Sequence, residues 1–151
     1  MVSAGGPPPG VVTFLFTDIE GSTRRWESDA DGMGVALAVH HKVLRSAIEE
    51  HDGFLFSHTG DGVAAAFASR VSAVDAAIDA QREVQLAVRM GIATGEADLR
   101  DGDFFGTVLN RAARVMAAGH GGQILLADST AMVTDVYDQI DQARTELEQL
   151  G

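Results

Sequence analysis

Two acidic residues stand where apolar runs of the chain end or turn. Asp18 follows Val11–Phe16 (VVTFLF), and Asp61 lies in Thr59-Gly60-Asp61-Gly62, between Phe54–Ser57 and Val63–Phe67. If these runs are neighbouring strands, both carboxylates converge at one end of a sheet. With no basic residue nearby they repel, unless a divalent cation lies between them. Hard oxygen ligands beside a phosphate substrate favour Mg²⁺ or Mn²⁺. Taken singly, each has a plainer account: Asp61 as a turn residue, Asp18 as a helix N-cap. A second constellation is Asn110 with Arg114. Spaced i,i+4, they project from one side of a helix. A forked guanidinium beside an amide donor suits an anionic, oxygen-rich group carrying developing charge. The spacing alone fits a solvated polar face as well.

The elements between these residues decide whether they can meet. Val11–Phe16 is continuously apolar and β-rich, which predicts a strand buried on both faces. Gly21, Ser22 and Thr23 supply turn and N-cap chemistry after it. A helix is expected over Met33–Glu50, with Val35, Ala38, Val39, Lys42, Val43 and Ala47 on its inner stripe. Gly32 and Gly34 leave open whether Arg24–Asp31 joins it. Phe54–Ser57 and Val63–Phe67 then form a hairpin across Thr59-Gly60-Asp61-Gly62, which contains an Asp-Gly pair. Val71–Gln85 is a second helix, Val88–Thr94 a strand, and Asp98–Asp103 a polar connector. Thr107–Ala118 is a third helix with Leu109, Ala112, Ala113 and Met116 on its buried side, and Gln123–Ala127 is a last strand. The order β-α-β-β-α-β-α-β is an α+β, ferredoxin-like βαββαβ core with an added helix and strand. Residues 1–10 read as a flexible arm, 11–130 as the domain, and 131–151 as an acidic helix or tail.

Charge frames the question of ligands. In 151 residues there are 22 Asp and Glu against 11 Lys and Arg, a net −11, and Lys42 is the only lysine. That balance disfavours nucleic acid and anionic membrane as partners, since both need positive charge. It leaves a few arginines to hold any phosphate. With no cysteine, disulfide scaffolds, thiolate metal sites and Cys nucleophiles are excluded, and a cytoplasmic location is expected. The longest apolar run, Val63–Ala68, falls far short of the roughly 20 residues of a membrane helix, so no membrane insertion is expected.

Four motifs occur in order: Phe16-Thr17-Asp18-Ile19-Glu20-Gly21-Ser22-Thr23, Thr59-Gly60-Asp61-Gly62, Arg89-Met90-Gly91-Ile92-Ala93-Thr94-Gly95, and Asp103-Phe104-Phe105-Gly106-Thr107-Val108-Leu109-Asn110-Arg111-Ala112-Ala113-Arg114. Together they resemble the class III adenylyl/guanylyl cyclase catalytic domain, most closely its actinobacterial branch opening with FTDIEGST, over roughly Val11–Thr130. The resemblance implies that Asp18 and Asp61, with the carbonyl of Ile19, hold two Mg²⁺ or Mn²⁺ ions. It implies that backbone N–H groups of Glu20, Gly21, Ser22 and Thr23 take phosphate oxygens, and that Arg89 contacts phosphate. Asn110 would orient the ribose and Arg114 stabilise charge at the α-phosphate. The substrate would be ATP, with GTP less favoured, the products a 3′,5′-cyclic nucleotide and pyrophosphate, and the role signal transduction. Active sites in the family form between two chains, so a homodimer with two equivalent sites is implied.

Two positions depart from the family pattern. The base is chosen there by an Asp, present as Asp103, and by a Lys four residues before the second metal aspartate, where this chain has Ser57. Ser57 can hydrogen-bond a purine edge without a charged donor; His58 beside it either compensates in part or faces solvent. Family members also continue past the last strand into a hairpin carrying another basic residue. After Arg114 only Arg144, inside the acidic tail, is available. These departures leave a second expectation standing: a cyclase-like module that binds nucleotide with negligible turnover.

Overall fold

The computed structural model describes residues 10–131. The arm expected at 1–10 and the tail expected at 131–151 lie outside it, apart from Gly10 and Ala131. Its centre is β1 (Val11–Ile19), flanked by β3 (Gly62–Phe67) and β4 (Val88–Glu96), both antiparallel to it. The hairpin partner β2 (Phe54–Thr59) lies outside β3, and β7 (Ile124–Leu126) runs parallel beside β4, giving the order β2-β3-β1-β4-β7. This is the expected α+β, ferredoxin-like arrangement with one added strand.

Side chains alternate across the sheet and bury two different faces. On one, Leu15, Ala65, Phe67, Met90 and Ile92 pack under α2 (Ala30–Glu50) and α3 (Arg70–Glu83). The inner side of α3 is made of Ala73, Ala76, Ala77 and Ala80, small residues that let the helix lie close to the strands. On the other face, Val12, Phe14, Ala66 and Ala93 meet Phe104, Val108 and Ala112 of the region around α4 (Thr107–Ala117). Gly91 sets how near α4 comes: a Cβ there would overlap the backbone of Met116 and lie 2.7 Å from the Ala112 carbonyl oxygen.

The boundary left open before the long helix is resolved, and several expectations are corrected. Arg24–Asp31 is not a continuous part of the long helix: Ser22–Ser28 forms a separate short helix, α1. Asp29 breaks the path and caps α2, its side chain accepting from the Gly32 N–H at 3.0 Å. The long helix therefore starts at Ala30 rather than Met33. Its inner stripe is also rotated. Met33, His40, Leu44, Ala47 and Ile48 are buried, whereas Val35 is 70% and Val39 53% exposed. A histidine in the true stripe hid its period from a reading based on apolar residues. The connector folds as a small hairpin, β5 (Asp98–Arg100) with β6 (Asp103–Phe105). Asp101 and Gly102 both have positive φ at its turn, the backbone a tight two-residue hairpin demands. Completing the fold, α5 (Asp128–Ala131) is fixed to β4 through Thr130, whose hydroxyl is 2.8 Å from that of Thr94.

His40 is 2% exposed, and neither ring nitrogen has a hydrogen-bond partner among the described residues. Burial lowers its pKa to about 4, His41 acts in the same direction, and Asp61 opposes them. The unfolded chain takes up this proton near pH 6.5, while the native fold resists it until about pH 4. Stability should therefore fall as pH drops through that window, by about 1.4 kcal/mol per pH unit from this group. Urea unfolding of His40→Leu between pH 7 and 4 should show a shallower pH dependence than the parent; an identical slope would place the titration elsewhere.

Candidate active site

The site is built on the end of β1. In the β1–β4 register Asp18 lies opposite Arg89, and the two side chains close into a bidentate pair. Arg89 Nε donates to Asp18 Oδ1 at 2.7 Å and Nη2 donates to Oδ2 at 2.6 Å. About a quarter of each side chain is exposed, so the pair is partly shielded from water, where such a fork is stronger than on an open surface. The Asp18 hydrogen bonds raise the Arg89 pKa above its ordinary value, and Glu20 and Asp61 add further attraction. The expectation of two carboxylates with no basic residue nearby is thus corrected: Arg89 already lies among three of them. Strand pairing across 71 positions of sequence separation put it there.

Asp61 is brought to the same end from the other side. Thr17 pairs with Val63, and Thr59 with Gly62, so Gly60 and Asp61 form the two-residue turn just beyond the strand ends. Gly60 has φ +52 at the first turn position, a conformation costly for a residue with a Cβ. The turn is therefore centred on Gly60-Asp61, inside the expected Thr59-Gly60-Asp61-Gly62 segment. Ile19, next to Asp18 at the end of β1, buries its side chain against Met33 and Leu86, which anchors the backbone there.

The following loop is more committed than its sequence suggests. The Glu20 N–H donates to the Ala87 carbonyl at 2.8 Å, so it is not free for a phosphate. The Glu20 carboxylate accepts from the Gly121 N–H at 2.5 Å, and the Gly122 N–H donates to Val88 O at 2.9 Å. A Cβ at Gly121 would lie 2.8 Å from Glu20 Oε2 and 2.5 Å from the Ala87 Cβ. Gly121-Gly122 thus straps the site loop to β4. Gly21, Ser22 and Thr23 open α1 with Gly21 at φ +73 and no side-chain cap.

The other expected residues stand apart from this cluster. On α4, Val108 and Ala112 are buried while Asn110 and Arg114 are exposed. Val108, not named for the inner side, is its anchor against Gly95. Neither the Asn110 nor the Arg114 side chain makes a hydrogen bond or ion pair among the described residues. Asp103 is exposed at the start of β6, its Oδ1 accepting from the Phe104 N–H at 3.0 Å. Ser57 is half-buried on β2, where a register shift between Leu55 and Ser57 marks a bulge. Beyond it Ser57 pairs with Ala64 and His58 with Val63. His58 consequently turns to α2, its Nε2 lying 2.9 Å from His41 Nδ1. Neighbouring strand residues point to opposite faces, so His58 does not stand in beside Ser57.

The residues expected to hold metal, Asp18, Asp61 and the Ile19 carbonyl, would supply hard oxygen donors, and a cation already sits on Asp18 in the form of the Arg89 guanidinium. The set fits Mg²⁺ or Mn²⁺. No group of three or more His, Cys, Asp or Glu suited to one ion occurs among the described residues, so substrate oxygens and water would complete the coordination. No helix among the described residues is long and apolar enough to cross a membrane.

No protein-family model matches the chain. An uncharacterized protein of Mycobacterium tuberculosis is 37% identical over 128 residues, covering 82% of this chain and 45% of that protein. The receptor-type adenylate cyclase GRESAG 4.3 of Trypanosoma brucei brucei is 29% identical, covering 86% of this chain and 15% of its own. The chain thus spans less than half the length of these relatives. Among solved structures, an adenylate cyclase of Trypanosoma brucei in its monomeric state superimposes with a TM-score of 0.83 at 28% identity, over 91% of this chain and 82% of that one. Likeness of sequence and of fold run together along most of the chain, and it belongs to the class III adenylyl/guanylyl cyclase catalytic-domain family.

Proposed function

We propose that the chain is a nucleotide cyclase that converts ATP to 3′,5′-cyclic AMP and pyrophosphate in sites shared between two copies. What supports the reading most is the division of the candidate residues. Asp18, Asp61 and Arg89 gather at one sheet end, whereas Asn110 and Arg114 are exposed on α4. A chain carrying both halves can complete two equivalent sites in a two-fold homodimer.

Asp18, Asp61 and the Ile19 carbonyl would hold two Mg²⁺ or Mn²⁺ ions. When bound, such ions lower the pKa of the ribose 3′-hydroxyl and neutralise the triphosphate. The 3′-oxygen then attacks the α-phosphorus, its proton leaves to solvent, and the bond to pyrophosphate breaks. Arg89 and the N–H groups of Gly21, Ser22 and Thr23 would hold the β- and γ-phosphates. Across the interface Asn110 would orient the ribose, and Arg114 would meet the charge that grows on the α-phosphate oxygens. Asp103 and Ser57 would face the purine. One observation favours a second reading, a nucleotide-binding regulatory module: Ser57 has no charged donor, and His58 is engaged with His41 on the other face.

Mixing tests the shared site. Asp18→Asn and Arg114→Ala should each lose cyclase activity on Mn²⁺-ATP by about 100-fold or more. Combined in equal amounts they should recover about a quarter of parental activity, because half of the dimers are mixed and each keeps one intact site. No recovery, with mixed dimers present, contradicts a site built from two chains. Ser57→Lys adds a charged hydrogen bond worth about 1.5–3 kcal/mol, and should raise kcat/KM by about 10–100-fold for one purine over the other. Equal and unchanged values for ATP and GTP would remove Ser57 from the base pocket.

A further inference from the structure

Both oxygens of Asp18 are taken by Arg89, at 2.6 and 2.7 Å. A divalent ion cannot use this carboxylate at full strength while the fork remains. Nor can Arg89 yield by losing its proton, because a guanidinium stays charged at any working pH. It is held by more than one contact: the strand register sets it opposite Asp18, and Glu20 and Asp61 attract it too. The side chain leaves only when another dense anion competes for it, and a polyphosphate with its row of oxygens matches a guanidinium fork.

Resting on the reading of Asp18 as a metal carboxylate, we propose that Arg89 is a counter-ion gate: it closes Asp18 to divalent cations until a polyphosphate draws the guanidinium away, so that cation and nucleotide enter together. Arg89 thereby has two alternating partners, Asp18 in the free protein and phosphate in the loaded one. Asp18 is never left without a cation, since the incoming metal takes the place of the departing guanidinium. By linkage, each ligand strengthens the binding of the other to the same degree. A protein with this gate would take up little metal in the absence of nucleotide.

Electron paramagnetic resonance of Mn²⁺ titrated into the nucleotide-free protein tests the gate without any turnover. Arg89→Met should bind Mn²⁺ alone at least about 10-fold more tightly than the parent, with Arg89→Lys, which keeps the charge but loses the fork, in between. Equal or weaker binding by a folded Arg89→Met overturns the gate. A second measurement needs no variant. The ¹⁵Nε resonance of Arg89 should stay unchanged with Mg²⁺ alone and shift when Mg²⁺ is added with a non-cyclisable ATP analogue. A full shift with Mg²⁺ alone also overturns it. Asp18→Asn added to Arg89→Met separates the two levels: if the double variant binds Mn²⁺ as tightly as Arg89→Met alone, the metal reading itself fails, whatever the gate does.

Discussion

The antiparallel pairing of β1 with β4 is the constraint on which the rest depends. Nine consecutive pairs, from Val11 with Glu96 to Ile19 with Val88, fix the register without a shift. A slip by one residue would turn Asp18 to the other face of the sheet and separate it from Arg89. Because β1 is also the inner neighbour of β3, the same strand delivers Asp61 to the same end. A central strand buried on both sides cannot slip without exposing Phe14 or Leu15, each 1% exposed or less. The position of the charged cluster is therefore secured by apolar packing rather than by the charges themselves.

The two faces of the sheet then divide the labour. Under α2 and α3 lies the larger core, and α2 also buries His40 with neither ring nitrogen partnered among the described residues. The opposite face is covered more thinly, by α4 and the β5–β6 hairpin, and presents Asn110, Arg114, Phe105 and Leu99 outward. Gly91 draws α4 onto the sheet. The helix is thereby oriented by Val108 and Ala112 inside and its polar pair outside.

What could be read from sequence was whatever is local. The strands, the turn carrying Asp61 and the i,i+4 pair on α4 each announce themselves within about ten residues. Long-range pairings do not: nothing near Arg89 names Asp18, 71 residues away, and nothing near Gly121 names Glu20, 101 residues away. The α2 stripe was misread because a buried histidine occupies an apolar phase, and apolar valines at 35 and 39 occupy an exposed one. The β5–β6 hairpin was passed over because three-residue strands are too short to show alternation, although Asp101-Gly102 marked its turn. The bulge near Phe56 likewise has no local signature, yet it sets the register in which Ser57 meets Ala64 and His58 meets Val63.

The central claim is that two copies of this chain make one chemical site. The most direct measurement is cyclic AMP formed from Mn²⁺-ATP per unit of protein across a wide dilution series, with sedimentation reporting the monomer fraction. The account predicts that specific activity falls as dimers dissociate and vanishes with them. Cyclic AMP formation at undiminished specific activity in the monomer, or none at any concentration of dimer, would contradict it.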